Sequence, residues 1–404
     1  MSTSEDREPP LFAAPHRPMF LSGCVVLLAA FALWMLELVA RASGAFSFDW
    51  RFPSAWMHVL TVASGALPLL IFGFLLTAMP RWQSAPAIVR RQWLPYWSML
   101  ACGWLLGLSG GWVSGLLAPG LLLVLAGWTG ILWTLFSVLR APANDRFHAG
   151  LVCLGVLNGW IALCIWFGVA LGAPPSWARL AISISVWWSL VPVFVTVCHR
   201  MIPFFSAGVA SDYTAFRPRA ALGALIGGSF AHGAMSMAGM YAWTWLVDLP
   251  VAVIALWLSW RWWPGQAMRV RLLAMLHIGF VWLGVGMLLG AAQSVFALSG
   301  MFVLGHGPLH AVVAGFFGSI VFAMVSRVTL GHSGSALEAD AMTWWLFIGL
   351  QVVVVLRIVA DMLPQAVGAT WIAWSAAGWF VVFGAWAVRY LPVYWRPRVD
   401  GRPG

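Results

Sequence analysis

The chain has 404 residues, 62% hydrophobic and only 8% charged, with 29 tryptophans. A soluble domain carries about 25% charged residues, so this composition excludes a water-soluble globular enzyme and points to an all-α polytopic protein of the lipid bilayer. All 22 basic residues are arginine against 12 acidic ones, and we read the formal charge of +10 as a topology signal, with no nucleic acid as partner.

Apolar runs of about 20 residues predict about twelve transmembrane helices. They run from Met19 to Arg41, Met57 to Pro80, Trp93 to Val113, Leu117 to Arg140, His148 to Leu171, Trp177 to Cys198, Ala220 to Trp243, Asp248 to Trp263, Val270 to Leu298, His306 to Ser326, Met342 to Asp361 and Gln365 to Leu391. The domain plan is a tail of residues 1–18, an integral domain of 19–391 and a tail of 392–404. The first run lacks a small-residue cleavage site and follows Glu5, Asp6 and Glu8, so it reads as a retained helix. With the N-terminus in the cytoplasm, 18 arginines fall inside, Arg7, Arg200, Arg327 and Arg402 among them, and four (Arg41, Arg51, Arg179, Arg357) fall outside. That asymmetry predicts an even span count and cytoplasmic N- and C-termini. The five cysteines are scattered through the spans and read as small apolar filler. Gly103, Gly107, Gly111 and Gly115 recur every four residues, a flat helix face for a neighbouring backbone or a flat cofactor.

Chemistry is carried by histidines, which are costly at or inside a span unless they bind metal, move protons or find polar partners. His16, His148 and His332 fall at cytoplasmic ends, where a solvated or headgroup-contacting role is expected. His306 and His310 are one helical turn apart at the outer end of the tenth span, and His58 enters the second at similar depth. Each is either a metal ligand or an interfacial histidine bonded to water or a carbonyl. His232 lies in the seventh span with Met235, Met237 and Met240 nearby; imidazole plus thioether selects copper(I), against a buried hydrogen-bonded histidine. His277 stands two turns into the ninth span without a sequence partner. His199 and Arg200 end the sixth span, where Arg200 is either a topology determinant or a clamp for a haem propionate or anionic lipid. Glu37 is the one carboxylate within the first span, a proton-pathway residue or a snorkelling one. Covalent-haem, phosphate-loop and Ser-His-Asp patterns are absent, which argues against ATP-driven transport and hydrolysis.

The run Gly73-Phe-Leu-Leu-Thr-Ala-Met-Pro-Arg-Trp82, the run Arg200-Met-Ile-Pro-Phe-Phe205, and Leu309-His-Ala-Val-Val-Ala-Gly315 leading to Ser326-Arg-Val-Thr-Leu-Gly-His332 resemble the signatures of the NnrS family. Leu276-His-Ile-Gly-Phe280 with Trp282 is similar as well. The resemblance implies a bacterial inner-membrane protein of about twelve helices that contains haem and copper and serves the response to nitric oxide and nitrosative stress. His310, His277 and His332 match histidines of family blocks, and Arg200 and Arg327 match arginines. His58 matches only the start of a His-x-His-Glu-Met block, since Leu60 and Thr61 stand where the second histidine and the glutamate are expected. A weaker likeness is to the catalytic subunit of haem-copper oxidases, without its adjacent paired histidines on the seventh span.

The reading is a membrane protein binding haem b, and possible copper, through histidines on different helices, with nitric oxide or another small diatomic as ligand and a quinone or other redox partner as donor. His58 and His310 are the first choice for haem, with His306 as second metal ligand or hydrogen-bond partner, His277 and His232 for a deeper site, and Arg200 and Arg327 as cofactor contacts. The alternatives are a transporter or metal permease, a nitric oxide reductase-like oxidoreductase, and an assembly factor holding haem loosely.

Overall fold

The computed structural model describes residues 9–401 apart from 144, 211, 212 and 264. Glu5, Asp6, Glu8, Arg7 and Arg402 therefore lie outside the described residues. Within them the chain is all helical, without a strand. Its long helical segments are α1 (His16–Ser43), α2 (Ser54–Trp82), α3 (Leu94–Ser109), α4 (Leu117–Leu139), α5 (Phe147–Ala170), α6 (Pro175–Ala207), α7 (Arg219–Met237), α8 (Trp245–Trp262), α9 (Arg271–Leu298), α10 (Gly307–Ser333), α11 (Ala341–Ala360) and α12 (Gln365–Tyr390). Ten of these are long and apolar enough to cross a membrane, and the chain is a multi-pass membrane protein. The other two are α3, whose 16 residues reach about 24 Å at ~1.5 Å each, and α7, diluted by glycine, serine and His232.

In lipid the backbone must satisfy itself, so the helices close their ends with local devices. Gly44 and Gly334 end α1 and α10 in the left-handed region, at φ 64° and 78°. Asp340 caps α11 by accepting from the Thr343 backbone N–H at 2.9 Å. The glycine stripe of α3 packs against α4: a Cβ on Gly120 would stand 2.5 Å from the Gly107 nitrogen and one on Gly103 2.8 Å from the Gly120 carbonyl. Of the two uses open to that stripe, this is the backbone one, and Gly111 and Gly115 lie past the end of α3.

Three helices form the inner post of the bundle. The membrane-crossing windows of α2, α6 and α10 are 78%, 78% and 83% buried, against 33–39% for α1, α8, α11 and α12. These three, each four helices after the last, contain the π-helical turns Val62–Ala66, Ile184–Leu190 and Ala311–Phe317. Proline accounts for two of them. Pro68 and Pro192 follow directly, and a proline offers no N–H to the carbonyl four residues back and crowds it, which a wider turn relieves. In α6 the carbonyl so freed, Trp188 O, accepts instead from the Asn158 side chain at 2.9 Å.

Both described ends of the chain meet at one end of the bundle, where the Arg17 guanidinium donates to the backbone carbonyls of Pro10, Tyr394 and Arg396. We call this the terminal face and its opposite the far face.

Candidate functional site

Two far-face cavities flank the start of α10. The first has about 730 Å³ of space free of protein atoms, its mouth included, and is lined by His58 of α2, His310 of α10, Arg357 of α11 and the rings of Phe31, Trp34 and Trp379. His58 lies flat on Trp34, ring centroids 4.8 Å apart at 16°, and its buried Nδ1 has no hydrogen-bond partner. His310 donates from Nδ1 to the His306 carbonyl at 2.9 Å. A carbonyl only accepts, so the proton sits on Nδ1 and the Nε2 lone pair is left for a ligand. Val62, Val313 and Ala314, which line the same cavity, belong to π turns, so each histidine stands in the α-helical stretch just before a widened turn. Gly318 leaves room for the Trp379 ring, which a Cβ there would strike. Arg357 is ion-paired with Asp361 at 2.7 Å, both side chains largely buried.

The second cavity, about 1390 Å³ with its mouth, lies across α10 and is lined by His232, Asp248, His306 and Trp187. Asp248 is fully buried; its Oδ1 stands 2.6 Å from Nδ1 of His232, and its Oδ2 has no partner. The Trp187 ring, in the π turn of α6, lies 3.9 Å from the His232 ring.

His58 and His310 thus share one cavity, while His306 faces the other. The periodicity that put His306 and His310 on one face does not apply, because His306 is the cap residue before α10 and has left the helical path. His306 does serve His310, through its backbone. His277 joins neither: it is buried between α9 and α6, its Nε2 3.1 Å from the Ser206 hydroxyl. Met235, Met237 and Met240 do not line the cavity of His232, and among the described residues no three of His, Cys, Asp and Glu gather as a metal group. The imidazole-plus-thioether set expected for copper(I) is therefore not assembled at that cavity.

Arg200 and Arg327 open into a third cavity at the terminal face, about 1420 Å³ with its mouth, shared with Arg81, Arg217, Arg398 and His332. Arg327 is about 25 Å along α10 from His310, and Arg81 about 35 Å along α2 from His58, at ~1.5 Å per residue. The structure does not bring Arg200 or Arg327 to the group that His58 and His310 could hold. Arg357 occupies that place.

Two expectations of solvated histidines are corrected. His148 and His16 are 6% and 1% exposed, each against another imidazole: His148 Nε2 meets His199 Nδ1 at 3.0 Å, and the His16 and His332 rings are 4.5 Å apart. Helix-end position suggested water, but each ring packs against a second imidazole and a phenylalanine instead. Glu37 is also committed, with Arg41, Trp50 and Ser54 all donating to it within 3.2 Å, so it ties α1 to the following loop. Outside the spans, Asp145 accepts from the Phe147 backbone N–H and then pairs with Arg219 at 3.0 Å, which holds its carboxyl below the ordinary range.

The model of the family described as NnrS protein matches residues 10–398, nearly the whole chain. The chain belongs to the NnrS family. No curated protein matches it in sequence. Among solved structures, this NnrS protein is similar to a heme-copper terminal oxidase dimer seen by cryo-EM, with a TM-score of 0.64 at 13% identity, covering 96% of this chain and 86% of that one. At that identity the likeness is one of fold.

Proposed function

We propose that this NnrS protein holds haem b in the first far-face cavity and uses it to handle nitric oxide. The observation that carries the reading is the meeting of His58 and His310, from separate helices, on one aromatic-walled cavity, with the tautomer of His310 set for ligation. The donor set fits the group: two imidazoles, flat rings for a porphyrin to lie against, and one buried arginine for a propionate. A haem there supplies an iron that takes diatomic ligands and passes single electrons. His310 would keep its place, because its Nδ1 hydrogen bond to the His306 carbonyl fixes the ring. His58, whose ring is stacked on Trp34 and whose Nδ1 makes no hydrogen bond, would be the less firmly held of the two imidazoles.

The orientation we propose follows the arginines: terminal face in the cytoplasm, far-face cavities toward the outside of a bacterial inner membrane, twelve spans in all. Support for reduction of nitric oxide as a second reading comes from the His232–Asp248 pair, a buried carboxylate and imidazole on a separate far-face cavity, suited to move protons. Two nitric oxide molecules, two protons and two electrons would give nitrous oxide and water, with a quinol or other redox partner as donor.

The test is titration of nitric oxide into the dithionite-reduced purified protein, followed at the Soret band. A saturable shift in the parent, which also forms nitrous oxide with a quinol donor, together with a His232→Gln variant that keeps the shift but forms none, supports both readings. A reduced protein whose spectrum does not respond to nitric oxide would sink the functional proposal.

A further inference from the structure

The terminal-face cavity gathers arginines in a way that topology does not require. Arginines that only fix orientation sit in loops with their heads in water or among lipid phosphates. Here Arg81, Arg200 and Arg327 come from the ends of the three inner helices α2, α6 and α10, and Arg217 and Arg398 join them from connecting and C-terminal segments; Arg200 and Arg327 are half-buried, while Arg81 and Arg217 are exposed. Arg398 is paired with Asp400 at 2.6 Å, and nearby Arg219 with Asp145. Among the described residues the other four, Arg81, Arg200, Arg217 and Arg327, meet no carboxylate within ion-pair distance. Two of them lie on aromatic rings instead, Arg200 at 4.9 Å from the Trp82 centroid and Arg327 at 3.8 Å from that of Phe205. Four guanidinium groups facing one space repel each other, and the arrangement is favourable once anionic charge stands between them.

The cavity is also two-sided in character. Phe74, Met324 and Val328 line it and at the same time line an apolar crevice of about 440 Å³ that runs on between α2, α6 and α10. A fitting ligand has a head with two phosphates, each forked by a pair of arginines, and an apolar tail that enters the crevice.

We propose that this cleft binds an amphiphile with a bisphosphate head, and that the source is a membrane lipid of the diphosphatidylglycerol type. The site is separate from the histidine cavity, so it stands or falls apart from the haem proposal. Its ligand ties the ends of α2, α6 and α10 together on the terminal face.

The experiment is thermal unfolding of the full-length protein in detergent with added diphosphatidylglycerol, phosphatidylglycerol, phosphatidylcholine, farnesyl diphosphate or inorganic pyrophosphate, alongside mass analysis of lipid that copurifies. We expect diphosphatidylglycerol to copurify near one per chain and to raise the midpoint more than the other lipids. Arg200→Gln with Arg327→Gln should raise the lipid concentration needed for that effect by about tenfold or more, as loss of charged hydrogen bonds implies. Arg217→Gln, outside the helices and checked by helical circular dichroism, gives the same direction should the double variant fail to fold. Stronger stabilisation by farnesyl diphosphate would overturn the membrane-lipid source, and equal stabilisation by pyrophosphate alone would overturn the role of the tail. Equal effects of phosphatidylcholine, no effect of any bisphosphate, or an effect that survives both sets of variants would overturn the site itself.

Discussion

His58 and His310 were visible in the sequence because each stands at the outer end of an apolar run, where an imidazole needs a reason. Arg357 was not, since four outward arginines read alike as topology, yet it alone among them lines the histidine cavity. Its place four residues before the end of the run Gln351-Val-Val-Val-Val-Leu-Arg357-Ile-Val-Ala-Asp361 was the available signal, because a charge within a span asks for a partner. If it meets a haem propionate, Arg357→Gln should weaken haem retention by about tenfold or more, the worth of one charged hydrogen bond at ~1.5–3 kcal/mol. Haem occupancy after graded detergent washing measures this, and full retention would remove Arg357 from the site. The His232–Asp248 pair escaped notice for another reason: its members sit on separate helices, α7 and α8, and only the fold brings them to 2.6 Å.

At the scale of elements, hydropathy located every long helix to within a few residues at most ends, but it is blind to helix type. The π turns of α2, α6 and α10 shift the facing of all residues that follow, so periodic arguments fail across them. His306 shows a second limit, as a cap residue obeys no helical face. Pro68 and Pro192 were legible hints of disturbed helix, and Asn158, a polar residue in the apolar α5, was a hint of an unpaired carbonyl elsewhere. Because the Asn158 amide satisfies Trp188 O, Asn158→Leu should cost about 1–3 kcal/mol by stranding a buried acceptor. A lowered thermal midpoint with unchanged helical content is expected; an unchanged midpoint would mean that the π turn needs no such support.

The whole molecule repeats one plan, in which the second, sixth and tenth helices are innermost and the rest wrap them. Composition announced the class and the family blocks announced the membership, while the inner post and its cavities depend on packing that no single span records. The twelve spans we propose require α3 and α7 to cross with their neighbours, and cytoplasmic termini are the proposal that the arginine asymmetry supports. A reporter that is active only in the cytoplasm should work at the C-terminus and stay silent when inserted between α5 and α6, at Gly172. The reverse pattern would invert the membrane orientation and put the histidine cavities inside.

In the arrangement we propose, His58 and His310 together hold one haem. Its most direct measurement is the reduced-minus-oxidised spectrum with a pyridine haemochrome assay, taken on the purified parent and on His58→Ala and His310→Ala. We expect a b-type spectrum in the parent that is lost in His310→Ala and lost or converted to a different ligation in His58→Ala. A colourless parent from haem-replete cells, or a full and unaltered spectrum in either variant, would contradict it.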